Sequence, residues 1–296
     1  MNAKERGFLL LTSQLGDLER KPLTVAQFRT LAMRVAQGKI SDDMRELTEQ
    51  DIIALGYDRT MAARMISLLG NTKDLDQYLK TGNRFGCVPI SRISQEYPLA
   101  VHKRLGLDAP GCLWAKGNMD LLHTQTVSLV GCREISPMNY QFAEKAGKEA
   151  ARQGITLVSG NARGADKIAQ DACLAEGGNV ICVVADELMN CSPMDNVLYI
   201  SEDSFDLPFT PARALSRNRV IHTLGYLTLV AQSNLGTGGT WDGTVKNLKN
   251  HWNPVFCFDD GSSAARELHQ LGATLICQEE LTDFAALRSD LYTFLS

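Results

Sequence analysis

The sequence predicts an α/β protein in which a doubly wound, mostly parallel sheet follows a small all-helical segment. Seven short apolar runs follow residue 126, and amphipathic helical patterns separate the first of them. The runs are apolar throughout, as in a sheet that helices cover on both faces. Residues 1–82 instead repeat apolar side chains at helical spacing and contain no strand pattern.

The helical segment carries two amphipathic stretches. Their apolar positions are Val25, Phe28, Leu31 and Val35, then Met61, Met65 and Leu68. Thr24 is the expected N-cap of the first stretch, and Thr48, with Asp51 three residues later, should begin another helix. We expect residues 81–84 to link this helical domain, residues 1–82, to a second domain, residues 83–296.

The second domain should contain the sheet. The predicted strands are residues 126–132, 155–159, 179–185, 197–200, 227–231, 254–258 and 274–277. Helices are expected at 139–153, ended by Gly154, and at 165–176, ended by Gly177. Such units make right-handed crossovers between parallel strands. We expect the strands near residues 127–130, 157–158, 180–184 and 227–230 to be adjacent at the centre of the sheet.

Composition excludes several classes of protein. With 30 basic and 34 acidic residues the net charge is −4, so a polyanion site must be a local patch. The eight cysteines show neither a C-x-x-C motif nor zinc-ligand spacing, so we expect reduced core residues, no metal and no cofactor. No apolar run approaches the ~18 residues of a membrane span. We expect a cytoplasmic protein without membrane contact.

Two glycine-rich turns follow predicted strands. Gly131-Cys132-Arg133 follows the first strand, and the segment SGNARGAD, residues 159–166, follows the second and opens into a helix. Backbone N–H groups at such a turn bind phosphate. The pattern is neither G-x-G-x-x-G after the first strand nor a Walker loop. The alternative is that the glycines only make tight turns and that Asp166 caps the helix.

A basic cluster and a third glycine-rich turn lie further along the chain. Arg213, Arg217 and Arg219 precede the strand at 227–231, and the segment GTGGT, residues 236–240, follows it. Residues 205–250 carry five basic and two acidic side chains, whereas residues 171–204 carry seven acidic and no basic ones. We expect these turns and arginines to converge at one sheet edge as a phosphate site. Trp241 is expected to pack in its helix.

Five segments match a known family in order and spacing: EYPLA (96–100), VGCR with Ser136, VSGNARGAD (158–166), SRNRVI (216–221) and GTGGTWDG (236–243). They resemble the motifs of the DNA-processing protein A (DprA, or Smf) family, whose Rossmann-like domain belongs to the SLOG superfamily. Cys132, Gln170 and Asp186 depart from the usual pattern. The sequence ends soon after Phe284, so we expect it to lack the winged-helix domain of many members. The helical segment matches the family's sterile-alpha-motif-like domain only in position and size.

The resemblance implies a non-catalytic single-stranded DNA-binding protein that dimerises and delivers incoming DNA to a RecA-type recombinase in natural transformation. The expected phosphate-binding residues are Gly131, Arg133, Ser159, Gly160, Asn161, Arg163, Gly164, Asp166, Arg217, Asn218, Arg219, Gly236, Thr237, Gly238, Gly239 and Thr240. The candidate homodimer surface consists of Leu268, Leu271, Leu281, Phe284, Leu287, Leu291 and Phe294. The alternative for these apolar residues is that they cover the last sheet edge.

Two other functions stay open. A SLOG-type nucleotide sensor, for example in phage defence, needs only the phosphate cradle. A nucleotide-cleaving enzyme is disfavoured, because the catalytic Glu of the superfamily's lyases is missing and Gly243 follows Asp242. The five histidines form no catalytic set, and His222 is expected on a helix surface.

Overall fold

The computed structural model describes residues 1–17, 19–38, 46–202 and 204–287. Its centre is one nine-stranded sheet in the order β1-β2-β6-β5-β4-β3-β7-β8-β9. The strands are β1 (Val88–Ser91), β2 (Cys112–Gly117), β3 (Thr126–Gly131), β4 (Thr156–Ser159), β5 (Val180–Val184), β6 (Val197–Ser201), β7 (Thr228–Gln232), β8 (Val255–Phe258) and β9 (Thr274–Ile276). In this spatial order, all neighbouring strands from β6 through β3 to β9 are parallel. β2 pairs antiparallel with both β1 and β6.

The predicted α/β fold is confirmed. All seven predicted strands are present, and β5, β4, β3 and β7 are adjacent as expected. The prediction missed β1 and β2. Pro89 weakens the strand pattern of β1 and is tolerated because β1 is an edge strand. Lys116 interrupts the apolar run of β2.

Eleven α-helices accompany the sheet in the part of the chain that the structure describes. They are α1 (Ala3–Thr12), α2 (Val25–Gln37), α3 (Glu49–Ala54), α4 (Arg59–Gly70), α5 (Thr72–Arg84), α6 (Leu99–Leu105), α7 (Pro137–Arg152), α8 (Ala165–Ala175), α9 (Pro211–Leu224), α10 (Gly238–Asn250) and α11 (Ser263–Gln270). The helices expected at 139–153 and 165–176 are α7 and α8. Among the described residues, none of the helices combines the length and apolar composition needed to cross a membrane.

Helices cover the sheet on both faces. The core on one face includes side chains of α1, α5, α7 and α8, and Phe142 of α7 stacks on Phe258 of β8 at 4.5 Å. The core on the other face includes side chains of α6, α9 and α11. Neighbouring residues of β3 point to opposite faces, Leu129 into the first core and Val130 into the second. The molecule is therefore a three-layer α/β/α structure.

The N-terminal helices have their own apolar cluster, which includes Phe28 and Met65. The predicted caps are confirmed, since Thr24 and Thr48 begin α2 and α3 with capping boxes. The linker expected at residues 81–84 is wrong, because α5 runs through these residues. The Tyr78 ring of α5 contacts a sheet residue, Trp114, at 5.3 Å between centroids. The division at residue 82 stays a prediction, and it falls inside α5.

The predicted dimer surface near the end of the chain is wrong for most of its residues. Leu268, Leu281, Phe284 and Leu287 are each at most 5 % exposed and belong to the chain's own core. Leu271 is exposed, and Leu291 and Phe294 lie outside the described residues. Burial of these apolar side chains within the chain removes their driving force for association.

The cysteines are distributed as expected of small apolar core residues. Six are buried and Cys191 is half-buried, whereas Cys277 is exposed.

Candidate nucleic-acid interface

A cavity of about 870 Å³ opens at the carboxyl ends of β3 and β7. The turn after β3 forms one wall, the segments after β4 and β7 form two others, and α9 forms the floor. The chain leaves β3 through α7 toward β4, while β7 pairs with the other side of β3. Such a reversal of strand order is the place where doubly wound sheets bind ligands. We call this space the phosphate-cradle cavity.

Three helices begin at the phosphate-cradle cavity. Ser136, the N-cap of α7, and Thr237, the N-cap of α10, both line it. The cavity also touches Asp166 in the first turn of α8. The first N–H groups of a helix lack intrahelical acceptors, and the helix dipole places partial positive charge there. The three helix N-termini together favour an anion.

Arg217 of α9 reaches the same cavity from below. The residue is only 8 % exposed, and its Nε atom has no hydrogen-bond partner among the described residues. Burial lowers the pKa of Arg217, while the nearby charge of Asp166 raises it again. Guanidinium groups are not deprotonated in proteins, so Arg217 carries its charge into the cavity. A buried cation with an unused donor is the kind of group that a phosphate oxygen satisfies.

Asp166 supports Arg217 and also shapes the turn after β4. Its Oδ2 atom accepts hydrogen bonds from the backbone N–H groups of Gly160, at 3.1 Å, and Ala162, at 3.3 Å. Burial raises the pKa of Asp166, whereas the Arg217 charge and these N–H donors lower it. The carboxylate therefore holds the turn closed beneath the arginine.

Two glycines permit this arrangement. A Cβ atom at Gly160 would overlap the Arg217 guanidinium, so the arginine passes directly over the glycine backbone. Gly164 has φ +85° and lies against the Cys132 and Arg133 carbonyl oxygens. Only glycine adopts this backbone conformation at such a close approach without strain. The glycines thus do more than make tight turns.

Arg133 and Arg163 are exposed cations at the mouth of the cavity. The Arg133 guanidinium lies 5.8 Å from the centre of the exposed Phe209 ring. Arg163 Nη2 lies 3.8 Å from the Glu134 carboxylate, and both side chains are largely exposed. An exposed pair at this distance contributes little to stability and leaves Arg163 free to bind a phosphate.

Hydrogen bonds connect the turn after β7 and the start of α10 to β3 and to α9. The Thr240 hydroxyl donates to the Gly131 carbonyl oxygen at 2.9 Å, and the Asn218 amide donates to the Gly239 carbonyl oxygen at 3.0 Å. Asn218 therefore holds the start of α10 in place. Trp241 packs partly buried against the core, as expected.

Residues 89–286 match the model of one family, DNA recombination-mediator protein A. The chain belongs to this family. The match includes every part of the phosphate-cradle cavity, which extends from Val130 to Thr240.

Two curated relatives are similar at moderate identity. The DNA processing protein DprA of Streptococcus pneumoniae is 30 % identical over 194 residues, 60 % of this chain and 68 % of that protein. Protein Smf of Escherichia coli is 27 % identical over 189 residues, 58 % of this chain and 50 % of that protein. The chain thus matches about half of the length of Smf.

Solved structures of the family share the fold. DprA from S. pneumoniae superimposes with a TM-score of 0.71 at 22 % identity, covering 95 % of this chain and 96 % of that one. DprA from Helicobacter pylori, whose structure was described for its single-stranded DNA binding mode, gives a TM-score of 0.56 at 24 % identity. It covers 69 % of this chain and 96 % of its own.

The structure brings ten of the sixteen predicted site residues to the cavity wall. They are Gly131, Arg133, Arg163, Asp166, Arg217, Asn218, Thr237, Gly238, Gly239 and Thr240. Ser159, Gly160 and Gly164 lie behind that wall, in the turn that supports Arg217 and Arg133. Asn161 is exposed with φ +54°, and Gly236 lies outside the lining.

Of the predicted cations, the structure places both Arg213 and Arg219 outside the phosphate-cradle cavity. Arg219 pairs with the buried carboxylate of Glu202 and donates to the Asp108 carbonyl oxygen at 3.1 Å. Side chains two residues apart on a helix point about 200° away from each other, so Arg217 and Arg219 cannot face one ligand. Arg219 lines a separate cavity of about 360 Å³ between the N-terminal helices and the sheet. The structure therefore separates Arg219 from the phosphate-cradle cavity.

His222 and Phe209 are among the lining residues that sequence reasoning missed. His222, expected on a helix surface, is 1 % exposed and lines the cavity. Its position four residues after Asn218 places both on one helix face, and this spacing was the available signal. Phe209 also lines the cavity, in a segment without a recognisable motif.

Proposed function

We propose that the phosphate-cradle cavity binds the sugar-phosphate backbone of single-stranded DNA. The observation that carries this proposal is Arg217, a buried cation with an unused donor where three helices begin. Exposed Arg133 and Arg163 extend the positive surface beyond the cavity mouth. Family membership and the DNA-binding H. pylori relative support the same ligand. Contacts to phosphate hold a strand without reading its sequence.

We propose further that the chain acts as a recombination mediator and passes bound DNA to a RecA-type recombinase during DNA uptake. The family's description as a recombination mediator supports this role. We also propose that the protein works as a homodimer, because a second copy doubles the phosphates neutralised on one strand. Light scattering tests this assembly. A mass near 32.5 kDa both alone and with DNA would reject the dimer.

A non-catalytic role fits the acidic residues near the cavity. Asp166 is buried and holds the turn after β4. Asp242 lies on α10 and pairs with Lys246 at 2.7 Å, and both side chains are largely exposed.

A nucleotide sensor is the second candidate, favoured by the cavity volume of about 870 Å³. This volume lies in the range of small-molecule sites. Fluorescence anisotropy with labelled oligo-dT, in competition with mononucleotides and cyclic dinucleotides, separates the two functions. We expect oligo-dT binding that mononucleotides do not displace. Displacement at low micromolar mononucleotide concentration, or no binding of oligo-dT, would reject the proposal.

A further inference from the structure

A second buried polar atom lies at the floor of the phosphate-cradle cavity, near Arg217. His222 is 1 % exposed and lines the cavity, yet its Nε2 atom has no hydrogen-bond partner among the described residues. Gly243 of α10 lies over the ring, where a Cβ atom would be 3.0 Å from Nε2. The lack of a side chain at Gly243 lets α10 pack this close to the ring.

Hydrogen bonds at the other ring nitrogen determine where the proton lies. Asn247 Oδ1 accepts from the Asn253 backbone N–H at 3.1 Å, so the Asn247 Nδ2 atom is the donor end of the amide. Nδ2 lies 2.7 Å from Asn253 Oδ1 and 3.1 Å from His222 Nδ1. The Thr228 hydroxyl, which donates to Asn253 Oδ1 at 3.0 Å, lies farther from Nδ1, at 3.3 Å, and a proton on Nδ1 would face the second amide hydrogen of Asn247 at the shorter distance. His222 Nδ1 is therefore the acceptor, and Nε2 carries the proton.

The imidazole of His222 is neutral at physiological pH. Burial, and secondly the Arg217 charge, lower the pKa of His222 to about 3. Two buried donors at the cavity floor thus lack acceptors, the charged Nε–H of Arg217 and the neutral Nε2–H of His222. Buried donors are normally satisfied, and each one left unpaired is costly.

We infer that His222 is a DNA-binding residue and that its Nε2–H donates to a phosphate oxygen of the bound strand. This inference rests on the proposed function. A phosphate oxygen suits the site because the Arg217 charge nearby favours an anionic acceptor. His222 differs from the arginines in one measurable respect. A neutral donor adds affinity but releases no counterion, so it leaves the salt dependence unchanged.

A pair of uncharged substitutions tests this role. His222→Asn keeps a polar partner for Asn247 near the Nδ1 position and removes the donor at Nε2. His222→Gln keeps a donor near Nε2. We expect His222→Asn to bind oligo-dT about tenfold more weakly. His222→Gln should stay within about threefold of the original affinity. Both variants should keep the original slope of log affinity against log salt. Equal affinities for all three proteins would overturn the inference.

A measurement on the unaltered protein covers the case in which both variants fail to fold. Long-range ¹H–¹⁵N spectra of ¹⁵N-histidine protein resolve the tautomer of each of the five histidines. We expect His222 in the Nε2–H form and a shift of its Nε2 signal when oligo-dT is added. The same shift should occur with an abasic oligonucleotide, which keeps the phosphates.

The outcomes are distinguishable from failure of the proposed function. If oligo-dT binds but the His222 Nε2 signal does not move, the inference is wrong and the DNA-binding function stands. A shift that oligo-dT causes and the abasic strand does not would assign the donor to a base and overturn the phosphate contact. If oligo-dT does not bind at all, the proposed function itself fails.

Discussion

Arg217 and Arg219 lie two residues apart on α9, and their side chains project from opposite sides of the helix. Arg217 reaches the phosphate-cradle cavity and leaves Nε unpaired, whereas Arg219 is neutralised by Glu202. Because α9 separates the two cavities, substitutions at these arginines should have different consequences.

Arg217→Ala should weaken oligo-dT binding by about 1 to 3 kcal/mol. It should also make the slope of log affinity against log salt shallower by about 0.7, since one phosphate contact is lost. Arg219→Ala is the matched control and should leave that slope unchanged. It should instead lower the free energy of unfolding by about 3 to 5 kcal/mol, because the buried Glu202 would lose its cationic partner and keep only the hydrogen bond from the Ser216 hydroxyl. Anisotropy titrations and urea melts check both. Equal losses of affinity in the two variants would contradict this assignment.

Gly160→Ala should weaken DNA binding without any change in charge. The added Cβ overlaps the Arg217 guanidinium and must displace it from the cavity floor. We expect a loss of about 1 kcal/mol or more in binding free energy. Gly70→Ala is the control, because a Cβ there meets nothing within 4 Å. Unaltered affinity of Gly160→Ala for oligo-dT would mean that Arg217 does not act from its present position.

Glu134→Gln should strengthen DNA binding. The Glu134 carboxylate lies at the cavity mouth, 3.8 Å from Arg163, and repels an entering phosphate. Since the pair is exposed, we expect about a twofold gain in affinity that fades at high salt. Asp242→Asn removes one exposed carboxylate outside the cavity lining and serves as the control. A larger gain from Asp242→Asn would point to a general charge effect.

Acid should destabilise the protein through His222. The pKa of this side chain is about 3 in the fold and about 6.5 in an unfolded chain, so below pH 6.5 only the unfolded chain takes up the proton. The free energy of unfolding therefore loses nothing through His222 above pH 6.5. It falls by about 1.4 kcal/mol per pH unit between pH 6 and 4.

Urea melts from pH 7 to 5 measure this effect, with His222→Gln as the comparison. The raised pKa of Asp166 contributes with the opposite sign in both proteins, so the difference between them isolates His222. His102→Gln, which removes an exposed histidine, serves as the control. Parallel pH profiles for the original protein and His222→Gln would show that His222 titrates normally.

Local patterns predicted the parallel part of the fold because they repeat over many residues. The strand at 180–184 is apolar throughout, and the helix at 165–175 buries small apolar side chains at helical spacing, which the sequence shows directly. The strands at 88–91 and 112–117 have no such pattern. Their place in the sheet depends on pairing with residues far away in the chain, as between Trp114 and Ser201.

The candidate site was predictable where glycine-rich turns follow strands, because topology alone brings strand ends together. Side-chain direction was not predictable. The three-arginine cluster suggested one surface, yet Arg213 donates to the Ala185 carbonyl oxygen at 2.9 Å and to the Ser201 hydroxyl at 3.0 Å, holding a loop. Those acceptors exist only in the folded chain. His222 was missed for a related reason, since its partner Asn247 lies on another helix.

The Tyr78 ring, which lies 4.5 Å from the Phe205 ring and also packs on Trp114, joins the N-terminal helices to the sheet, so we expect each part to depend on the other for folding. Trp114 is fully buried here. A fragment that began at residue 83 would expose this indole and lose the helix that covers it. Such a fragment should resemble a molten globule, with exposed apolar surface and loosened packing. The N-terminal helices should therefore be required for native packing of the sheet.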